Sequence, residues 1–70
     1  MNRELIGHRL RELRGEMTQQ QLAAELGVAD SSIGMYESGE RIPKDEIKIK
    51  YAQFFQKTVQ EIFFEDECHE

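Results

Sequence analysis

The hydrophobic residues near the start of the chain recur at helical intervals. Ile6, Leu10 and Leu13 lie at i, i+4 and i+7, with arginine and glutamate between them. The pattern predicts an amphipathic helix over Arg3–Arg14. Gly15 suits the left-handed position that commonly follows a helix, so this first element is expected to end there.

The next stretch predicts a short helix with defined ends. Thr18 and Gln21 have capping-box spacing, in which the hydroxyl accepts from the Gln21 N–H and the amide reaches back to the Thr18 backbone. Met17 before the cap and Leu22 within the helix suit the accompanying hydrophobic staple. The helix is expected to begin at position 19 and to stop at Gly27.

A third helix is expected from position 30 or 31 to Ser38, with Gly39 as its terminator. Ile33 is expected to face inward, together with Tyr36 or Glu37. The interior of this helix contains a glycine, which costs about 1 kcal/mol relative to alanine. A glycine inside a helix indicates that close packing, or the close approach of another group, requires it.

A fourth helix competes with a strand in the following segment. Pro43 marks a break, and the acidic residues at positions 45 and 46 suit the positive end of a helix dipole. Positions 47–51 alternate as a strand does, whereas Ile47, Tyr51 and Phe54 also have helical spacing. Because no other segment offers a partner strand, the helix is preferred.

A second capping box at Thr58 and Glu61 predicts a short fifth helix. The apolar residues that would close the core there are Val59, Ile62 and Phe63. The chain has 70 residues, of which 39% are hydrophobic, and this size fits one all-α domain over 1–64. The acidic segment 65–70 is expected to fray.

The charge is unevenly distributed along the chain. The net charge is −5, but positions 61–70 hold five acidic residues without lysine or arginine. The other sixty residues carry nine cations and nine anions. A neutral body leaves room for one basic face, although strong non-specific affinity for nucleic acid is not expected.

Several classes of protein are disfavoured by composition. A lone Cys68 cannot form an internal disulfide, and the chain shows neither an apolar signal core nor a bilayer-spanning stretch, so a cytoplasmic protein without membrane association is expected. No catalytic constellation is present, and His8 is interpreted as solvated, so the chain is not expected to be an enzyme. Cys68 and His69 are adjacent and fall short of zinc-site spacing; no metal or cofactor is predicted.

Two short helices joined by a glycine-containing turn make a helix-turn-helix unit, although such hairpins also occur as plain packing units. The residues resemble the phage repressor and Cro-like domains, also called the xenobiotic-response-element family of regulators. The matching stretches are 6–14, 18–28, 31–33, 36–43 and 58–63. The resemblance covers nearly the whole chain and implies a compact five-helix, lambda-repressor-like fold that binds DNA.

The resemblance implies that the third helix reads DNA bases in the major groove. The residues it places toward base edges are Asp30, Ser31, Gly34 and Met35. Asp30 would accept from cytosine N4 or, alternatively, cap the helix. Gly34 would allow close approach either to the groove or to a crossing helix.

Phosphate contacts and one internal ion pair are also implied. The residues expected at the DNA backbone are Gln19, Ser32, Tyr36, Arg41 and Lys44. Gln19 could instead be a solvated cap residue, and the two cations could be ordinary solvated side chains. Arg14 and Glu37 match positions that pair between the first and third helices, which would orient the reading helix.

The function expected from this resemblance is sequence-specific binding of double-stranded DNA, as a repressor acting on a palindromic operator. A homodimer would place two reading helices roughly 34 Å apart, through Phe54, Phe63 and Phe64 unless Phe64 is simply exposed. RNA polymerase or a regulatory protein would be a further partner. The rival is an antitoxin-like or repressor-accessory module that binds protein, favoured by the acidic balance and by the absence of lysine and arginine from 30–40.

Overall fold

A computed structural model describes residues 2–64. The helices of this part of the chain are α1 (Arg3–Arg14), α2 (Gln19–Leu26), α3 (Asp30–Ser38), α4 (Asp45–Phe55) and α5 (Gln60–Phe64), the last a π-helical turn. None of these residues forms a strand, so the alternating segment 47–51 is helical and the prediction of an all-α, five-helix fold is confirmed. The acidic segment 65–70 lies outside the described residues.

Local side-chain caps determine where α1, α2 and α5 begin. Both capping boxes are present: Thr18 Oγ1 accepts from the Gln21 N–H at 3.0 Å, and Thr58 Oγ1 accepts from the Glu61 N–H at the same distance. A third cap is not predicted by the sequence patterns above. The Asn2 side chain accepts hydrogen bonds from the backbone N–H groups of Glu4 and Leu5 in the first turn of α1. Each such cap stabilises its helix by about 1 kcal/mol.

The hydrophobic core lies between all five helices and is centred on a fully buried tyrosine, Tyr51 of α4. The ring of Tyr51 packs against Tyr36, Phe55 and Phe63, with ring centres 6.1 to 6.3 Å apart. Phe63 is 2% exposed. The prediction that Phe63 belongs to a dimer interface is therefore wrong, because its ring is already used inside the monomer.

The first and third helices touch at a glycine that the sequence reasoning did not single out. A Cβ atom at Gly7 would lie 2.8 Å from the carbonyl oxygen of Tyr36 and closer still to that of Glu37. These distances are too short for any side chain, so only glycine permits this crossing. The backbone of α1 therefore lies directly on the last turn of α3.

Two further contacts hold the outer helices in place. Lys50 of α4 donates to the carbonyl of Leu26 at 3.2 Å, which supplies a partner at the end of α2. Arg9 of α1 donates to the carbonyl of Ile62 at 3.0 Å and so fastens α5. No helix among residues 2–64 is long and apolar enough to cross a membrane.

Candidate nucleic-acid interface

The helices α2 and α3 are joined by three residues, 27–29, and α3 presents one side to solvent. Its inner side is formed by Ile33, Tyr36 and Glu37, all buried. The outer side carries the four predicted base-reading residues, of which Asp30 and Ser31 are exposed and Gly34 and Met35 half-buried. The structure thus brings all four together on one stripe, which we call the reading stripe.

Asp30 is the first residue of α3 rather than its cap. The cap position is held by Ala29, which has no side-chain oxygen to accept a hydrogen bond. The interpretation of Asp30 as the cap is therefore wrong. As a first-turn residue its carboxylate still interacts favourably with the helix dipole, and its side chain lies at the exposed end of the reading stripe.

The nearest approach to Gly34 within the described residues comes from a side chain of α2 and not from helix backbone. The atoms nearest to a Cβ placed at Gly34 all belong to the side chain of Gln19, the closest being Oε1 at 3.5 Å. That distance is an ordinary van der Waals contact, in contrast to the overlap with backbone that a Cβ would create at Gly7. The packing alternative for Gly34 is therefore not supported.

A buried ion pair fixes α3 to α1. Arg14 Nε lies 2.7 Å from Glu37 Oε2, and Arg14 Nη2 lies 3.0 Å from Glu37 Oε1. The Glu37 carboxylate is 1% exposed. Hydrogen bonding to this carboxylate raises the pKa of the Arg14 guanidinium, although burial opposes the shift. The remaining nitrogen of Arg14 donates to the carbonyl of Met17, so the same side chain also holds the turn before α2.

Gln19, the first residue of α2, joins this ion pair. Its Nε2 donates to Glu37 Oε1 at 3.2 Å. The carboxylate of Glu37 therefore accepts hydrogen bonds from α1 and from α2 while belonging to α3 itself. The resemblance implies a pair between Glu37 and Arg14 alone, and nothing in the sequence indicates that Gln19 also meets Glu37.

The predicted phosphate contacts fall into three groups. Arg41 and Lys44 are exposed in the loop between α3 and α4, and Ser32 is half-buried in the first turn of α3. Gln19 is half-buried at the start of α2. Tyr36 is only 6% exposed and packs edge-on against the core. Tyr36 therefore does not present a surface for a phosphate, and that prediction is corrected.

Catalysis by histidine and metal binding are two further kinds of chemistry that the residue types raise. His8 is exposed on α1 and its Nε2 lies 3.1 Å from Glu12, a surface pair one turn apart. Within residues 2–64 no three His, Cys, Asp or Glu side chains are grouped to hold a metal ion. Cys68 and His69 lie outside the described residues.

The exposed aromatic residues lie on two flanks of α4. Phe54 is 38% exposed and lines a shallow groove beside the end of α2. Phe64 of α5 is 48% exposed, and its ring centre is 5.0 Å from Nζ of Lys48. Phe64 therefore lies on the side of α4 that carries Lys48, and positions 48 and 54 of a helix are separated by about 120° around its axis. The rings of Phe54 and Phe64 do not form one patch.

A family model described as helix-turn-helix matches residues 8–62, most of the chain and the whole of the α2–α3 unit. The chain belongs to this family, which is of the Cro/C1 type. Membership defines it as a DNA-binding transcription regulator. No curated protein and no solved structure matches the chain.

Proposed function

We propose that this regulator is a cytoplasmic repressor that inserts α3 into the major groove of a palindromic operator. The observation that carries the proposal is the reading stripe, an outward row of residues on a helix whose other side is packed into the core. Ser31 donates to or accepts from base edges, Met35 contacts a thymine methyl group, and Asp30 accepts from cytosine N4.

The flanking elements hold the DNA backbone. The first N–H groups of α2 have no partner within the helix and suit a phosphate oxygen, and Gln19 stands at this end. Ser32 donates a hydroxyl, while Arg41 and Lys44 supply positive charge from the loop after α3. With so few cations, the phosphate contacts position the domain and contribute modest affinity.

The regulator acts as a homodimer in this proposal. One domain of this size offers few base contacts, and two-fold symmetry doubles them on a palindrome. Phe64 supports an interface around α5, since the residue before it is buried in the core while its own ring is exposed. Phe54, on the other flank of α4, is the second candidate. Bound at a promoter, the dimer would occlude or contact RNA polymerase.

A protein-binding role on the same fold is the second candidate function. Residues 30–40 contain no lysine or arginine, so the reading stripe has little electrostatic attraction for phosphate. An antitoxin-like or repressor-accessory module would need no such attraction. This candidate predicts no sequence-selective DNA binding even at low salt.

Selection of bound fragments from random double-stranded DNA tests the two candidates. The DNA-binding proposal predicts enrichment of a palindromic site, and binding of that site by mobility shift should fall as salt is raised. Ser31→Glu should abolish the shift, because it places a second anion on the reading stripe. Gln53→Glu, which adds the same charge on the exposed side of α4, should bind as the wild type does. Failure to enrich any site at low salt would favour the protein-binding role.

A further inference from the structure

The side chain of Gln19 lies in van der Waals contact with the position that a Cβ atom at Gly34 would take. Its Oε1, Nε2 and Cδ atoms lie 3.5, 3.9 and 4.0 Å from the Cβ position of Gly34. The whole carboxamide therefore leans from the start of α2 over the middle of the reading stripe. At that place the stripe has no side chain of its own.

We propose that Gln19 is a specificity-determining residue that reads adenine through the opening left by Gly34. This inference rests on the proposed insertion of α3 into the major groove. It assigns the Gln19 side chain to a base edge, while the phosphate contact at the start of α2 is made by the backbone N–H groups.

Glu37 fixes which end of the carboxamide faces outward. An ionised carboxylate only accepts hydrogen bonds, so the Gln19 group that faces Glu37 must be the Nε2 donor. Rotation of the amide by half a turn would bring two acceptor oxygens together. The buried pair with Arg14 holds the carboxylate in position. Glu37 is thus a positioning residue for Gln19.

The fixed amide has the hydrogen-bonding pattern that recognises adenine. Its carbonyl Oε1 accepts from adenine N6, and the N–H not used by Glu37 donates to adenine N7. Guanine presents only acceptors, O6 and N7, along the same edge. Because the amide cannot rotate to offer two donors, guanine should be rejected by about tenfold or more.

The test compares selected sites for the wild type, Gln19→Met and Gln53→Met. Methionine has nearly the length of glutamine and can pack over Gly34, but it offers neither the donor nor the acceptor of the amide. Gln53 is the matched control, since it is an exposed glutamine on α4. Gln19→Met should lose the adenine preference at one position of each half-site and keep the others, whereas Gln53→Met should keep all of them.

A second measurement leaves the protein unchanged and alters the DNA. Replacing the selected adenine by 7-deazaadenine removes N7 alone. Wild-type affinity should fall several-fold, while the affinity of Gln19→Met should not change. A uniform loss of affinity for all sequences in Gln19→Met, with unchanged preferences, would show a phosphate contact only and overturn this inference alone. A wild-type chain that selects no site would overturn the proposed function and this inference with it.

Discussion

Arg14 and Glu37 form a two-point ion pair, at 2.7 and 3.0 Å, around a carboxylate that is 1% exposed. The pair joins the end of α1 to the last turn of α3. The cost of desolvating these charges means that the pair need not add net stability. The pair holds α3 in one position relative to α1 and α2, as the proposed insertion of α3 into DNA would require.

Removing one partner of this pair should destabilise the fold strongly. Arg14→Met leaves the Glu37 carboxylate buried without its counter-charge, and we expect a loss of about 3 kcal/mol in the free energy of unfolding. Denaturant unfolding followed by circular dichroism measures the loss. Arg11→Met, an exposed arginine on the same helix, is the control and should stay within about 0.5 kcal/mol of the wild type. Equal stability of the two variants would contradict the structural role.

The hydroxyl of Tyr51 is buried and has no hydrogen-bond partner among residues 2–64. Leaving a polar group in that state is unfavourable, so Tyr51→Phe should keep or raise stability, by up to about 1 to 2 kcal/mol. Thermal and denaturant unfolding at neutral pH measure the difference. A clear destabilisation by Tyr51→Phe would show that the hydroxyl is satisfied in solution.

The same hydroxyl makes stability depend on pH in the alkaline range. Burial raises the pKa of Tyr51 above its ordinary value, and the nearby Glu37 carboxylate raises it further. The unfolded chain therefore releases this proton near pH 10 while the folded chain retains it. Stability should fall as pH rises above about 10, and Tyr51→Phe should lose less stability over that interval. An equal loss of stability with rising pH in the wild type and in Tyr51→Phe would contradict this role of the Tyr51 hydroxyl.

Gly7 and Gly34 should respond oppositely to the same substitution. Gly7→Ala places a methyl group on the carbonyls of α3 and should destabilise the domain by about 1 to 3 kcal/mol. Gly34→Ala meets only ordinary contact with Gln19 and should stabilise α3 by up to about 1 kcal/mol. Unfolding free energies of the two variants provide the comparison. Destabilisation by Gly34→Ala would show a packing role that the structure does not indicate.

The proposed dimer should depend on Phe64. Phe64→Ser removes an exposed ring from α5 without opening the core, so the monomer should stay folded while self-association weakens. Sedimentation velocity at high micromolar concentration measures the association, with Phe54→Ser as the comparison on the other flank of α4. If Phe54→Ser alone yields monomers, the interface lies beside α2 instead. A monomeric wild type, with and without DNA, would remove the dimer.

Most helix ends among residues 2–64 can be predicted from the amino-acid order alone. The capping boxes at Thr18 and Thr58 and the terminating glycines at positions 15, 27 and 39 act within a few residues, so they can be recognised without knowledge of the fold. Hydrophobic spacing placed Ile33 in the core for the same reason. The resemblance of the α2–α3 stretch then indicated the class of protein.

Which side chains meet across the core becomes evident only when the helices are packed together. Gly7 touches α3, Gln19 reaches Glu37 and leans over Gly34, and Phe63 turns inward while Phe64 does not. Each of these outcomes depends on the relative position of two helices whose residues are far apart in sequence. The direction of a side chain at such a crossing is determined by packing density and by charge pairing in the buried interior. The order of polar and apolar residues along the chain contains no information on either.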